Sequence, residues 1–218
     1  ATGNELVPPG TLPGPGQISA SGSVAIAALA RDNGADVIDL GIAGDSEAAI
    51  RGAVEKAVEA KADILVTIGG ASVGDHDLIR PTLAAMGMEL DFWKIAMRPG
   101  KPLMVGRLGD MRVLGLPGNP VSSFVCALLF AEPLIRHLGH FPTRKRETTA
   151  IAASALADNG PRQHYMRGRF DCEGRVEMFD RQDSSLQATL AEADCLIIRP
   201  PHAKAIEPGE TVRIVNLG

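Results

Sequence analysis

The sequence has few cysteines, few aromatic residues and no long apolar run. Its 218 residues include 3 cysteines, and 4% are aromatic. Three cysteines without a short spacing between any two argue against a disulfide framework or a thiolate zinc site. No stretch reaches the roughly 18 consecutive apolar residues of a membrane-spanning helix, and no basic segment precedes an apolar one at the N-terminus. These absences predict a cytoplasmic protein that does not bind a membrane.

A strong excess of charge of either sign is also absent. The chain has 22 Lys and Arg residues against 26 Asp and Glu residues, which gives a net charge of -4. Generic binding to a nucleic-acid backbone needs a basic surface, and single-stranded nucleic acid also needs aromatic stacking, so we expect no nucleic-acid partner. An anionic ligand must therefore be held by a local cluster of cations and backbone N–H groups.

Helix-period and strand-like segments alternate over residues 1–146. The uninterrupted apolar run Ile64–Ile68 predicts a strand of a parallel sheet that is covered on both faces. Shorter apolar runs predict further strands at Val37–Leu40, Leu103–Gly106 and Val113–Leu116. Apolar residues at helical spacing predict helices near residues 21–33, 45–58, 78–86 and 120–138, the second capped by Asp45 and carrying Val58 on its apolar stripe. The fold class is α/β, with an open, mostly parallel sheet flanked by helices.

Residues 147–218 have a different character. Five short strand-like segments follow a polar connector and are separated by turn signals: Ala150–Ala153, Tyr165–Phe170, Val176–Phe179, Leu196–Ile198 and Val212–Leu217. This pattern predicts a small all-β barrel domain. At the other end, residues 1–6 resemble the end of a strand and its following loop, so we expect the first strand of the α/β domain to be truncated.

The loops after the predicted strands are the candidate binding site, because ligands of open α/β sheets bind outside the carboxyl ends of the strands. In the loop 69–77, Gly69 and Gly70 allow close approach of a ligand, and Ser72 adds a hydroxyl group. Asp75 and Asp77 could hold a hard cation such as Mg²⁺ or cap the next helix. The alternative is a tight turn with a simple N-cap.

A second helix-entry loop begins at Pro117. Asn119 can bond its own backbone, and Ser122 together with free helix N–H groups can hold phosphate. A rigid connection that serves packing alone is the alternative.

Three cations, Lys94, Arg98 and Lys101, flank the Pro99-Gly100 turn and predict an oxyanion pocket. A solvated charged face is the alternative.

Four motifs in this order resemble the molybdopterin molybdenumtransferase family, the MoeA-type enzymes and the gephyrin E-domain. They begin at Thr2 (TGNEL), Gly69 (GGASVGDHD), Arg98 (RPGKP) and Leu116 (LPGNPVS). The resemblance implies a MogA-like molybdopterin-binding domain over residues 1–146 and a C-terminal β-barrel domain over 147–218. It also implies insertion of molybdate into adenylylated molybdopterin with release of AMP, a divalent cation such as Mg²⁺, and a homodimer.

The resemblance assigns a role to each matching position. The implied catalytic residues are Glu5, Asp45, Asp77 and Lys94, and Asp45 and Asp77 also hold the metal. The implied substrate-binding residues are Gly69, Gly70, Ser72, Asp75, Pro117, Asn119, Pro120 and Ser122. The implied molybdate-binding residues are Arg98, Lys101, Arg162, Ser184 and Ser185.

Two departures from the family pattern leave alternatives open. Arg98 stands where the family usually has lysine, which keeps the charge but changes the geometry of the donors. The dimerising domains that precede this region in the family are absent from the sequence, so a non-catalytic pterin-binding or scaffold fragment is a second hypothesis. A related pterin-domain protein acting on nucleotides is a third, although such a hydrolase would not need Arg162 and Ser184 beside Arg98 and Lys101.

Overall fold

The computed structural model describes residues 1–70 and 78–218, and the chain divides into two compact units. Unit 1 comprises Ala1–Ile95 and Pro102–Thr143, and unit 2 comprises Ala96–Lys101 and Arg144–Gly218. The short segment 96–101 therefore belongs to the unit that is formed mainly by the C-terminal third of the chain.

Unit 1 combines helices with a four-stranded sheet. The sheet consists of β3 (Ile64–Ile68), β4 (Glu89–Trp93), β6 (Met104–Leu108) and β7 (Met111–Leu116). A separate two-stranded sheet consists of β1 (Leu6–Val7) and β2 (Ile18–Ser19), and β5 (Met97–Arg98) lies in unit 2. The helices of unit 1 are α1 (Ser21–Asp32), α2 (Glu47–Glu59), α3 (Ile79–Ala85), α4 (Pro120–Cys126) and α5 (Glu132–Leu138), the last two joined by a π-helical segment, Ala127–Ala131. The α/β fold class is confirmed.

The main sheet of unit 1 is mixed, with strand order β3-β7-β6-β4. Strands β3 and β7 are parallel, whereas β7 pairs with β6 and β6 pairs with β4 in antiparallel fashion. The sequence predicted a mostly parallel sheet. The difference arises because only Gly109 and Asp110 join β6 to β7, and a two-residue connection can link only antiparallel strands.

Residues Val37–Leu40 do not form the predicted strand. The chain alongside them is the N-terminus, where Thr2 makes a single parallel bridge with Ala43. A strand needs a neighbour along its length, and no strand of the described residues pairs with residues 37–40. The prediction at Val37–Leu40 was therefore wrong.

Helices α1 and α2 form where the apolar spacing predicted them. Their buried residues are Ile26 and Leu29 in α1 and Ile50, Val54 and Ala57 in α2.

Two details of α2 differ from the prediction. Val58 of α2 is 50% exposed rather than part of the apolar stripe. Asp45 does not cap α2, because Ser46 is the N-cap and accepts a hydrogen bond from the N–H of Ala49 at 3.2 Å.

The helical stretch from Pro120 to Leu138 is 19 residues long and apolar enough to cross a membrane by length and composition. It is a core element of unit 1, since it packs against α1 and buries Ser123 and Glu132 along with its apolar residues. Glu132 accepts a hydrogen bond from the Asn33 side chain at 3.4 Å. Buried polar side chains with partners inside the unit are typical of a core helix of a globular domain.

Unit 2 is built on antiparallel strands that close on themselves. The strands β8 (Glu147–Ile151), β9 (Gln163–Phe170), β10 (Val176–Met178), β11 (Cys195–Arg199) and β12 (Thr211–Asn216) pair in the order β10-β9-β11-β12-β8. A bridge between Ala152 and Val176 joins the two outer strands, so the sheet approaches a barrel. Each strand overlaps a predicted segment, whereas the short helix α6 (Gln187–Ala191) was not predicted.

Strand β5 adds to this sheet from a distant part of the sequence. Met97 lies opposite Gln163 and Arg98 opposite His164 in a parallel pairing. The N–H of Gln163 donates to the carbonyl oxygen of Ala96 at 2.9 Å. The Pro99 turn, which we grouped with residues 1–146, is thereby held in unit 2.

Candidate functional site

The loops at the carboxyl ends of the unit 1 strands meet, as expected for parallel segments of an α/β sheet. The N–H of Thr2 donates to the carbonyl oxygen of Ile68 at 2.9 Å, and the N–H of Gly69 donates to that of Leu116 at 3.1 Å. The N–H of Gly3 donates to the carbonyl oxygen of Ala43 at 3.2 Å. Three of the four motifs that carry the family resemblance are thus held at one edge of the sheet.

Glycine is required where these loops pack together. Gly69 has φ +89°, and a Cβ added there would lie 2.8 Å from the carbonyl oxygen of Thr2. A Cβ on Gly118 would lie 3.3 Å from the Cα of Gly69. The two glycines therefore allow the backbones of three loops to approach each other more closely than side chains would permit.

A reciprocal pair of hydrogen bonds fixes the loop at Asn4 against the loop at Asp45. The N–H of Asn4 donates to Asp45 Oδ2 at 2.9 Å, and the N–H of Asp45 donates to Asn4 Oδ1 at 3.0 Å. Asp45 is exposed and so remains accessible to a ligand. The side chain of Glu5, a second implied catalytic residue, folds back towards Gly3, where an added Cβ would lie 2.6 Å from Glu5 Oε2.

An open cavity of about 490 Å³ lies beside these loops. It is lined by Gly3, Asn4, Leu6, Pro8, Pro9, Ala20, Ser23, Asp39, Gly41, Ile42 and Gly44. A volume in this range suits a small organic ligand, and the lining combines apolar side chains with backbone and carboxylate groups. The sequence did not single out Asp39, which accepts a hydrogen bond from the N–H of Gly41 at 2.8 Å.

The loop that enters α4 carries a buried acceptor without a partner. Asn119 Oδ1 is buried and makes no hydrogen bond within the described part of the chain. The prediction that Asn119 bonds its own backbone is wrong for Oδ1, which accepts no hydrogen bond from the described residues, and this helix has no side-chain cap bond. Pro117 and Ser122 are buried and Pro120 is the first residue of α4, so the loop is a rigid part of the core with a polar atom in need of a donor.

Lys94 and Arg80 contact the ring of Trp93. The Lys94 Nζ lies 3.8 Å from the ring centroid, and the Arg80 guanidinium carbon lies 4.3 Å from it. Both distances are within the range of a cation–π interaction. The contact described for Lys94 is therefore the one with Trp93.

The predicted residues Ser72, Asp75 and Asp77 lie outside the described residues. Over residues 1–70 and 78–218 no group of three or more His, Cys, Asp or Glu side chains is arranged to hold a metal ion. Of the two implied metal ligands, only Asp45 has a described position.

Unit 2 gathers positive charge around the Pro99 turn. Arg98 lies opposite His164, and Arg162 precedes His164 by two residues. The Asn159 Nδ2 lies 2.9 Å from the carbonyl oxygens of both Arg162 and Arg199, so it fixes the two segments next to each other. The arginines predicted for the molybdate pocket are therefore brought together, within one unit.

The loop that carries Ser184 and Ser185 is organised by a buried arginine. Arg167 is 2% exposed, and its guanidinium donates to the carbonyl oxygens of Asp183 at 2.9 Å and Arg181 at 3.2 Å. Ser185 Oγ in turn donates to Asp183 Oδ1 at 2.7 Å. Lys101 is exposed at the end of the Pro99 turn.

Comparison with known proteins assigns both parts of the chain. The family described as "Probable molybdopterin binding domain" matches residues 1–137, and "MoeA C-terminal region (domain IV)" matches residues 149–217. The chain belongs to the MoeA family.

Individual MoeA relatives agree over the whole chain but are longer. Proteins named molybdopterin molybdenumtransferase from Nostoc sp. and Haemophilus influenzae are each 34% identical over 100% and 98% of this chain. A solved molybdopterin biosynthesis MoeA protein from Pyrococcus horikoshii superimposes with a TM-score of 0.83 at 27% identity, covering 100% of this chain and 53% of its own. The chain spans 52% and 54% of the two curated relatives.

Two polar residues of this MoeA chain escaped the sequence analysis. His164 is half-buried, and burial, with a further contribution from Arg98, Arg162, Arg167 and Arg199, lowers its pKa to about 4. Arg199 is 1% exposed at the end of the apolar segment CLIIR. The sequence did contain a signal for Arg199, because it is a charged residue at the end of a strand of apolar residues. Charged side chains are rarely buried without a partner. His164 carried no comparable signal, since its neighbours come from β5 and β11.

Proposed function

We propose that this chain is the ligand-binding portion of a molybdopterin molybdenumtransferase, which inserts molybdate into adenylylated molybdopterin and releases AMP. The observation that carries the proposal is the pairing of Arg98 with His164, because it joins the RPGKP motif to Arg162 across more than sixty residues of sequence. Molybdate is a tetrahedral dianion, and arginine and lysine side chains with hydroxyl groups are suitable donors for its oxygens.

The pterin substrate is proposed to bind at the strand-end loops of unit 1. The cavity beside Asn4 has a suitable size, and the unpaired Asn119 Oδ1 offers an acceptor for an N–H group of a ligand. Ser122 and the first N–H groups of α4 are candidates for contact with a phosphate. Cleavage of the phosphoanhydride then couples the loss of AMP to the arrival of molybdate.

Mg²⁺ is the proposed cation. It binds through one or two carboxylates together with substrate phosphates, and when bound it neutralises phosphate charge. Asp45 fits this requirement because it is an exposed carboxylate that uses one oxygen to hold Asn4. Asp77 is the second proposed ligand by resemblance.

Calorimetry with molybdate tests the oxyanion assignment. The whole chain is titrated with molybdate, next to Lys101→Ala and Arg162→Ala. We expect each substitution to weaken binding by about tenfold or more, since a hydrogen bond to a charged group contributes about 1.5–3 kcal/mol. Arg213→Ala is the matched control, because Arg213 lies on the same barrel and pairs with Glu147 at 2.6 Å. Unchanged affinity in both pocket variants would refute the assignment.

A non-catalytic pterin-binding or scaffold role, the alternative left open by the sequence, is the second candidate. The scaffold role is distinguished from the transferase by supplying the chain with adenylylated molybdopterin and molybdate and measuring the AMP released. Release of AMP by the chain supports the transferase. Binding of both ligands without AMP release supports the scaffold.

A further inference from the structure

Three basic residues occupy one row across the unit 2 sheet. Arg98 on β5 lies opposite His164 on β9, and His164 lies opposite Arg199 on β11. Side chains at paired positions of adjacent strands point to the same face of a sheet, so all three project to one side. Arg162, in the bend just before β9, adds a further positive charge that acts on His164.

Arg199 is buried, and only one of its three guanidinium nitrogens has partners among the described residues. Its Nη2 donates to the carbonyl oxygen of Ala157 at 2.9 Å and to that of Lys204. Its Nε and Nη1 are buried and have no hydrogen-bond partner among the described residues. Leaving charged donors buried and unpaired is costly, which points to an acceptor that is supplied by a ligand.

His164 lies in a field produced by arginines. Four arginines act on it. They are Arg98 of β5, Arg199 of β11, Arg167 of its own strand, and Arg162, which immediately precedes that strand. Two carboxylates interact electrostatically with these arginines: Asp158 with Arg199, and Asp183 with Arg167. Together with partial burial, the field of the arginines keeps the imidazole uncharged at neutral pH.

We propose that the oxyanion pocket extends over the row Arg98–His164–Arg199 and that His164 takes up a proton as a tetrahedral dianion binds. The inference rests on the proposed molybdate pocket and names a further ligand-binding residue in it. A bound dianion brings two negative charges among the arginines and reverses the field at the imidazole. The proton comes from solvent, and the resulting imidazolium donates an N–H to an oxygen of the anion.

Proton uptake makes the affinity depend on pH in a defined direction. Binding becomes stronger as pH falls, because the complex holds one proton more than the free protein. Between about pH 7.5 and about pH 5.5 we expect affinity to rise by about three- to tenfold, as for one group whose pKa lies higher in the complex. A pocket of arginines and lysine alone would show no such dependence, since those groups stay charged throughout this range.

Calorimetry of the whole chain in two buffers with different ionisation enthalpies measures this proton directly. Molybdate and sulfate are used as probes, and sulfate stays a dianion over the whole range, so the ligand itself contributes no proton. His164→Gln keeps a polar side chain without the titration. His202→Gln is the matched control, because His202 is an exposed histidine of the same unit. A nuclear magnetic resonance titration of His164 with and without saturating sulfate gives a second measurement in the unsubstituted chain.

Each outcome decides the proposal. Proton uptake that is lost in His164→Gln and kept in His202→Gln, with a higher midpoint for His164 in sulfate, supports it. Uptake that persists in His164→Gln, or a pH-independent affinity with an unmoved midpoint, overturns it and leaves the arginine pocket intact. Failure of both dianions to bind the unsubstituted chain overturns the molybdate pocket and this extension together.

Discussion

Asn4 and Asp45 exchange two hydrogen bonds between backbone and side chain, at 2.9 and 3.0 Å, although they are separated by 41 positions in sequence. Each side chain satisfies the N–H of the other loop, as a helix cap does for a helix. The same carboxylate is the one proposed to hold Mg²⁺. Its structural and chemical roles are therefore separable by substitution.

Asp45→Asn is expected to keep the loop contact and lose the charge. Its carbonyl oxygen can still accept from Asn4, so unfolding free energy should stay within about 0.5 kcal/mol of the unsubstituted chain. Asp45→Ala removes the acceptor and should cost about 0.5–1.5 kcal/mol. Urea unfolding of the two variants measures the difference. Equal stability of both variants would show that the bond to Asn4 contributes nothing.

Gly69→Ala is expected to destabilise unit 1 by about 2 kcal/mol or more, because an L-residue at positive φ is strained and its Cβ meets the Thr2 carbonyl oxygen. Gly52→Ala is the control, for which we expect a change in unfolding free energy of the opposite sign. Gly52 lies inside α2 with open space around a new Cβ, so alanine should stabilise by about 0.5–1 kcal/mol. Thermal and urea unfolding check both values, and a tolerated Gly69→Ala would contradict the close packing of the three loops.

Arg167→Met is expected to destabilise unit 2 by about 2–4 kcal/mol, since three partly buried carbonyl oxygens of residues 181–186 lose their donor. It should also weaken molybdate binding through Ser184 and Ser185. The neighbouring Arg169→Met provides the comparison. Arg169 is exposed and pairs with Glu177 at 3.0 Å, an interaction worth at most about 1 kcal/mol. Similar losses in the two variants would contradict the organising role of Arg167.

His164 predicts an acid sensitivity of folding. Because its folded pKa of about 4 lies below the ordinary value of 6.5, the unfolded chain binds the proton more readily. Stability is thus lost as pH falls from 6.5 towards 4, and is unaffected by this group above 6.5. At about pH 4.5 the loss should be about 1 kcal/mol after discounting for partial exposure. The difference in urea midpoint between the unsubstituted chain and His164→Gln across this range measures it, and parallel curves would refute it.

Buried regular elements were the part of the fold that could be predicted. The strand Ile64–Ile68 and the helix that begins at Pro120 could both be predicted. A continuous apolar run, or apolar residues at helical spacing, is compatible with few other secondary structures. Strand β4 (Glu89–Trp93) was missed because four of its five residues are exposed, so its sequence carries little apolar signal. Val37–Leu40 had the right composition but no neighbouring strand within residues 1–70 and 78–218, which local sequence does not reveal.

The candidate site also has one part that could be predicted from the sequence and another part that could not. The loops at Gly69 and Pro117 could be placed at one edge because each follows an apolar strand. The pairing of Arg98 with His164 lay beyond local sequence, since it joins two short segments through a two-residue strand. The unpaired nitrogens of Arg199 depend on the course of residues 157–204 and so required the structure.

Strand β5 also determines which fragments of this protein can be expressed as separate domains. A fragment starting at residue 147 would contain five of the barrel's strands but lose Ala96–Lys101, and with them the acceptor of the Gln163 N–H. The first residues of β9, Gln163 and His164, would then lose their neighbour on one side, and such an unpaired edge invites aggregation. Autonomous expression of the barrel therefore calls for a permuted or fused version in which the excised hexapeptide is restored.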